Sequence, residues 1–277
     1  MSTTDKLKII RIPLIIIISV NVFWACEQDN SQKLEERNWK ETWSDNFDGP
    51  AGQLPDATKW AFDIGTGDGG WGNAELQSYT NNPENVSLDG QGNLVITAIR
   101  SGNQFTSARI KTQGLFAQKY GRFEARLKTP YGPGMWPAFW MLGDNITTVP
   151  WPQCGEIDIM ELRGQEPHII HGTIHGPGYS GGNPITKSYA LMNGRFDSDY
   201  YVYAIEWDQD KIDFFVNEYL YQRISRADVP GECVYNQPFF ILLNVAVGGN
   251  YVGFPTDQTP FPQKMTVDYV RVYQKAD

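Results

Sequence analysis

The chain has 277 residues, with 23 basic against 32 acidic side chains, a formal charge of −9 and no basic tract. Such a surface repels a polyanion, which excludes nucleic acid as a partner. The length suits one large all-β domain as well as two small ones, and one domain is the default reading.

The N-terminus carries Lys6, Lys8 and Arg11, then an apolar run from Ile12 to Val20 that continues to Phe23, then Ala25-Cys26. The run is about a dozen residues, short of the roughly 20 that a membrane-spanning helix needs, and it ends at a small residue before cysteine. Residues 1–25 therefore read as a signal peptide. Cleavage before Cys26 with lipid attached to its thiol resembles a bacterial lipoprotein signal, although Phe23-Trp24 is bulkier than the usual residues there. Ordinary secretion with Cys26 as a bystander is the alternative. Both readings predict an exported protein, touching a membrane only through a lipid anchor of more than one acyl chain. Residues 26–40 are polar and mixed in charge with no apolar period, which reads as a tether.

Residues 41–277 form the folded domain on this reading. Its dominant pattern is period two: Phe123, Ala125 and Leu127 alternate with Arg122, Glu124, Arg126 and Lys128, placing one set inward and the other in water. Further strands are legible at Leu94 to Ile99, Tyr201 to Trp207, Ile212 to Val216, Phe239 to Val247 and Met265 to Tyr273. The short Asn217-Glu218 link predicts a hairpin. No sustained three-to-four apolar repeat follows Glu41. The fold class is all-β, and many short strands point to a β-sandwich of the jelly-roll kind whose bent sheets make a concave cleft. Cys154 and Cys233 remain in this domain, either bonded to each other or free. Aromatic residues are 13% of the chain, with nine Trp, more than the core needs, so some rings are available to flat ligands while burial accounts for the others.

The most informative segment is Gly155-Glu156-Ile157-Asp158-Ile159-Met160-Glu161, three acids among large aliphatic residues. On a regular strand Glu156 and Asp158 share a face and Glu161 points away. A β-bulge around Ile159-Met160 returns Glu161 to that face. Three carboxylates in a line repel one another and raise at least one pKa. Paired carboxyls about 5 to 5.5 Å apart, one attacking and one donating a proton, are what a retaining glycosidase uses. A calcium site or a solvated edge strand also accounts for three acids.

Four further segments accompany this motif: Trp71-Gly72-Asn73-Ala74-Glu75-Leu76-Gln77-Ser78-Tyr79-Thr80, Gly134-Met135-Trp136-Pro137-Ala138-Phe139-Trp140, His175-Gly176-Pro177-Gly178-Tyr179-Ser180-Gly181-Gly182, and Phe240 to Gly249. In this order, over nearly all of Trp43 to Tyr273, the chain resembles the laminarinase-type members of glycoside hydrolase family sixteen. The resemblance implies Glu156 as nucleophile, Glu161 as general acid then base, and Asp158 between them as an electrostatic helper. It implies that His175 lies beside Glu161 and orients it. Trp136 and Trp140 are expected on the cleft floor, stacked on sugars, with core packing of one of them as the rival. Asn73 and Glu75, alternating with Gln77 along an apparent strand, and the cleft-lining Arg109 and Asn244 are expected to meet sugar hydroxyls.

No cofactor for catalysis is implied. Relatives often hold a structural Ca2+ on the convex face, for which Asn46 and Gly92 match the backbone donors and Asp268 the carboxylate; oxygen ligands suit that ion. The implied activity is endo-hydrolysis of a neutral β-1,3-glucan by a monomer. A sulfated galactan would need Arg or Lys partners that these segments lack. Two alternatives stand beside it: a mixed-linkage β-1,3-1,4-glucanase, and a non-catalytic glucan-binding protein on the same scaffold.

Overall fold

The computed structural model describes residues 38–276. The signal peptide, Cys26 and the tether up to residue 37 lie outside them. The first strand begins two residues earlier than expected. Trp39 and Lys40 leave the tether because they pair with Lys275 and Gln274 at the end of the chain.

Seventeen strands follow in order: β1 (Trp39–Asp45), β2 (Ala61–Asp63), β3 (Gln77–Tyr79), β4 (Val86–Leu88), β5 (Leu94–Ser101), β6 (Gln104–Ser107), β7 (Arg109–Lys111), β8 (Gly121–Lys128) and β9 (Met135–Gly143), then β10 (Glu156–Leu162), β11 (Ile169–His175), β12 (Ile185–Ala190), β13 (Tyr201–Trp207), β14 (Lys211–Val216), β15 (Tyr219–Ser225), β16 (Phe239–Val247) and β17 (Gln263–Lys275). They make an all-β jelly-roll sandwich of two sheets. The larger runs β15-β14-β13-β8-β17-β5-β6-β3, with β1 also on β17 and β4 on β5. The smaller has seven strands in the order β12-β11-β10-β9-β16-β7-β2.

The alternation in β8 does put Phe123, Ala125 and Leu127 in the core, where they join Phe139 and Met141 of β9 and Ile241 and Leu243 of β16. Its polar residues depart from expectation. Arg122 and Glu124 are on the outer face yet only 4% and 8% exposed. Arg122 bonds Glu124 at 2.7 Å and Glu206 at 3.0 Å and also pairs with Glu218, so its charge is met several times over under cover of neighbouring strands. The predicted hairpin is present: Asn217 and Glu218 both take positive φ, 45° and 68°, as a two-residue turn between β14 and β15 requires.

Strand β16 reads FFILLNVAV without alternation because both its faces are covered. Ile241, Leu243, Val245 and Val247 enter the main core. Phe240 and Leu242 join Leu142 and Cys154 in a second cluster under the other face. Opposite it, β11 approaches the larger sheet closely at Gly172, where a Cβ would lie 2.2 Å from the Tyr221 hydroxyl. Side chains on the free face of the smaller sheet then carry the chemistry.

Candidate active site

Strand β10 pairs with β9 through Asp158↔Trp140 and Met160↔Phe139, leaving Ile159 as the inserted residue of a bulge. Against β11, Asp158 pairs with Thr173 and Glu161 with His171, three steps on one strand for two on the other. Ile159 and Met160 both enter the core. Glu156, Asp158 and Glu161 therefore share the free face, as their spacing predicts.

Each acid has a distinct neighbour. The Trp151 indole N–H donates to Glu156 Oε2 at 2.6 Å. The Trp136 indole N–H donates to Glu161 Oε1 at 2.8 Å. His175 Nε2 lies 3.3 Å from Asp158 Oδ2. This corrects the expectation that His175 orients Glu161. Because β11 runs antiparallel, His175 is level with Glu156 at one end of the motif, and His171 is level with Glu161 at the other.

Cross-strand pairs extend this face over the whole sheet. Ser188, His171, Glu161, Ala138, Asn244, Arg109 and Asp63 form one row from β12 to β2. Six inter-strand gaps of about 4.8 Å make the row roughly 29 Å long. Trp136 and Trp140 flank the single methyl of Ala138 on β9, so the floor is low beside Glu161 and bounded by rings.

Three of the expected sugar contacts are buried. Glu75, Arg109 and Asn244 are 8%, 7% and 4% exposed. Asn244 accepts from the Trp140 indole at 2.7 Å and donates to the Tyr79 hydroxyl at 3.1 Å, which donates to Glu75 at 3.2 Å. Gln77 donates to Glu75 at 2.6 Å. The Arg109 guanidinium lies 4.4 Å from the Trp71 ring centre and 5.5 Å from that of Trp140. This network braces the rings from behind, a use that alternation along a strand does not announce. Nor is 73–77 one strand. Trp71, Gly72 and Ala74 have positive φ in a loop closed by Ala74 N–H to Gly69 O and Glu75 N–H to Gly70 O, and the strand begins at Gln77. The run of glycines at 67, 69, 70 and 72 permits that path. Asn73 is half-buried there, its carbonyl accepting from the Asn250 N–H at 2.8 Å.

The family model for glycosyl hydrolases family 16 matches residues 73–271. The laminarinase catalytic domain of Thermotoga maritima superimposes with a TM-score of 0.81 at 44% identity, covering 87% of this chain and all of that one. The chain belongs to glycosyl hydrolases family 16. A β-glucanase of Rhodothermus marinus is 38% identical over 92% of both chains. The clotting factor G alpha subunit of Tachypleus tridentatus is 40% identical over 87% of this chain, which spans 35% of that subunit.

As a family 16 glycoside hydrolase, the chain needs a proton held on one carboxyl and charge on another. Burial, then the charge of Asp158, pushes Glu156 up to about 8, opposed by His175 and by the Trp151 donor. Burial pushes Glu161 up to about 7 against the Trp136 hydrogen bond, with Glu156 adding to the rise. Asp158 is raised well above its usual value by burial and the charge of Glu161. At 2% exposure Asp158 is the deepest of the three, and its neighbour is the His175 ring where each glutamate has an indole. Glu156 and Asp158 lie close enough to pass a proton between them, so the three carboxyls titrate as a set and the cluster is freed from triple charge near neutrality.

Three contributors escaped the sequence reading. Trp151 lies in an irregular loop, His171 is placed only once the bulge fixes the register, and Tyr251 reaches the site from the loop after β16, 5.2 Å from the Trp136 ring. Both cysteines are free thiols. Burial, reinforced by Glu156, pushes Cys154 up to about 11, so its thiol is protonated and inert at neutral pH.

The expected calcium residues lie on the larger sheet and its loops. A Cβ on Gly92 would be 4.0 Å from the Asn46 carbonyl oxygen and 3.9 Å from Asp48 Oδ1, so two of the expected donors are neighbours. Asp268 instead pairs with Arg126.

Proposed function

We propose that this chain is a retaining endo-hydrolase of β-1,3-glucan, with Glu156 as nucleophile and Glu161 as acid and base. The observation that carries the reading is the bulged strand, which puts both glutamates on one open face, each under an indole donor, with Asp158 between them. The laminarinase and β-glucanase names of the similar proteins support the substrate. A non-catalytic binding role would leave three clustered, mutually repelling acids without a use.

In the first step Glu156 attacks the anomeric carbon while Glu161 gives its proton to the leaving glycosidic oxygen, forming a glycosyl ester on Glu156. In the second, Glu161 takes a proton from water, whose oxygen attacks the same carbon and releases the glutamate. Trp136 holds the Glu161 carboxyl still through both steps. Asp158 exchanges its proton with the cluster as charge moves, and His175 keeps its carboxyl in place. The row across the sheet suits a chain bound along its length, hence internal cleavage.

Reducing-sugar release from laminarin, lichenan, agarose and porphyran tests the substrate. Laminarin is expected to be cleaved fastest; preference for lichenan would reassign the enzyme to mixed linkages, and silence on both glucans would overturn the reading.

Export and lipid anchoring at Cys26 belong to the same proposal, supported by the sequence of residues 1–26. Cys26→Ser is expected to move the protein from the membrane to the soluble fraction; an unchanged distribution would exclude the anchor. A structural Ca2+ between Asn46, Gly92 and Asp268 requires Asp268 to exchange Arg126 for the ion. Chelation is then expected to lower Tm by about 5–10 °C, with recovery on adding Ca2+. An identical Tm with and without chelator would dismiss the site.

A further inference from the structure

We propose that Phe254 and Leu76 form an apolar platform beside the cleft that takes the flat face of a glucosyl unit lying outside the sugars held over Glu161. The inference rests on the β-glucan reading above. Phe254 is 55% exposed and Leu76 41% exposed. The two side chains converge over one backbone position: a Cβ on Gly248 would lie 3.0 Å from Leu76 Cδ1 and 3.0 Å from Phe254 Cδ1. The next residue adjoins the catalytic cleft, because a Cβ on Gly249 would lie 3.3 Å from the Trp136 ring, the indole that donates to Glu161. The platform is thus continuous with the cleft wall.

Its exposure is built in. Gly134 lies under residue 254, where a Cβ would be 2.8 Å from the Phe254 carbonyl carbon and 2.4 Å from the Pro255 nitrogen. The Gly248 N–H donates to the Gly134 carbonyl at 2.7 Å, and the Gly253 N–H to Gly249 at 2.9 Å. Leu76 is tied by its N–H to the Val247 carbonyl at 2.8 Å. Backbone this closely packed holds the ring outward at a fixed place. A pyranose in a β-glucan offers an apolar C–H face with its hydroxyls around the rim, which an aromatic ring and a leucine methyl match without any charge. The glucosyl unit comes either from the cleaved strand as it leaves the cleft or from a neighbouring strand of the polymer.

The test compares wild type, Phe254→Ala and Phe254→Trp on linear β-1,3-gluco-oligosaccharides of increasing length and on insoluble β-1,3-glucan. Phe254→Ala is expected to raise KM about 3–10-fold on long substrates, with kcat and the shortest cleaved oligosaccharide unchanged, and Phe254→Trp to retain wild-type KM. An effect that begins at a threshold oligosaccharide length assigns the platform to the cleaved strand; an effect only on insoluble glucan assigns it to a neighbouring strand. Equal parameters on every substrate, or a loss of the same size at every length, would overturn the proposal. A wild-type chain silent on all of them would overturn the β-glucan reading and the platform together.

Discussion

Replacing Glu156 by serine is expected to cut kcat on β-1,3-glucan on the order of 10^4-fold or more, with little change in substrate binding, because the covalent half of the reaction disappears. The fold has no reason to suffer. Removing one of three clustered acids lowers their repulsion, and the Trp151 indole that loses its acceptor is itself 43% exposed. The stereochemistry of rescue separates this role from that of Glu161. Serine leaves space on the nucleophile's side of the sugar, so azide enters there and gives an α-glycosyl azide, the inverted product. Azide supplied to a variant of the acid/base instead intercepts the ester on Glu156 and gives the β-anomer. Product anomers measured by NMR would settle the assignment, and exchanged anomers would exchange the roles.

Much of this was legible in the sequence where the physics is local. Period-two alternation placed β8, and the acid spacing located the bulge, because side-chain direction along a strand is set by neighbouring residues alone. What is non-local was read less well. Arg122 and Glu124 carry the right face and the wrong exposure, since Arg122 is met by Glu206 and Glu218 and Glu124 by Tyr273, all some eighty residues or more away in the chain. The sequence alone puts His175 beside Glu161 by resemblance, because the antiparallel register that sets it opposite Glu156 cannot be counted until the bulge is placed. Glu75, Arg109 and Asn244 were found in the right region but not at the surface, because β2, β3, β7 and β16 are brought together only by tertiary folding. Trp140, Asn244, Tyr79, Glu75 and Gln77 hydrogen-bond one another, and that mutual satisfaction is what permits their burial.

The same logic explains why one strand holds both glutamates. A regular strand would have forced one of them into the core, where an unpaired carboxyl is expensive. The bulge puts Ile159 and Met160 there instead, and both stay apolar. Burial of the acids, with their mutual repulsion added to it, keeps protons bound near neutrality.

Replacing Glu161 by glutamine should show how that proton is used. General acid catalysis contributes about 10^2–10^4-fold, so cleavage of β-1,3-glucan, whose leaving group is a sugar alcohol, is expected to fall by that amount. Formation of the ester from an aryl glycoside with an acidic phenol should be nearly unaffected, since such a leaving group departs without a proton. The pH profile carries the sign. Glu161 is raised to about 7, chiefly by burial, and acts in its protonated form, so its contribution to the wild-type rate on glucan is present below that value and lost as pH rises through it. The glutamine variant has no proton to lose and should show no such alkaline limb on the aryl substrate. An alkaline limb that survives in the variant at the same pH would assign the titration to another member of the cluster, and a loss of equal size on both leaving groups would show that Glu161 does not donate the proton.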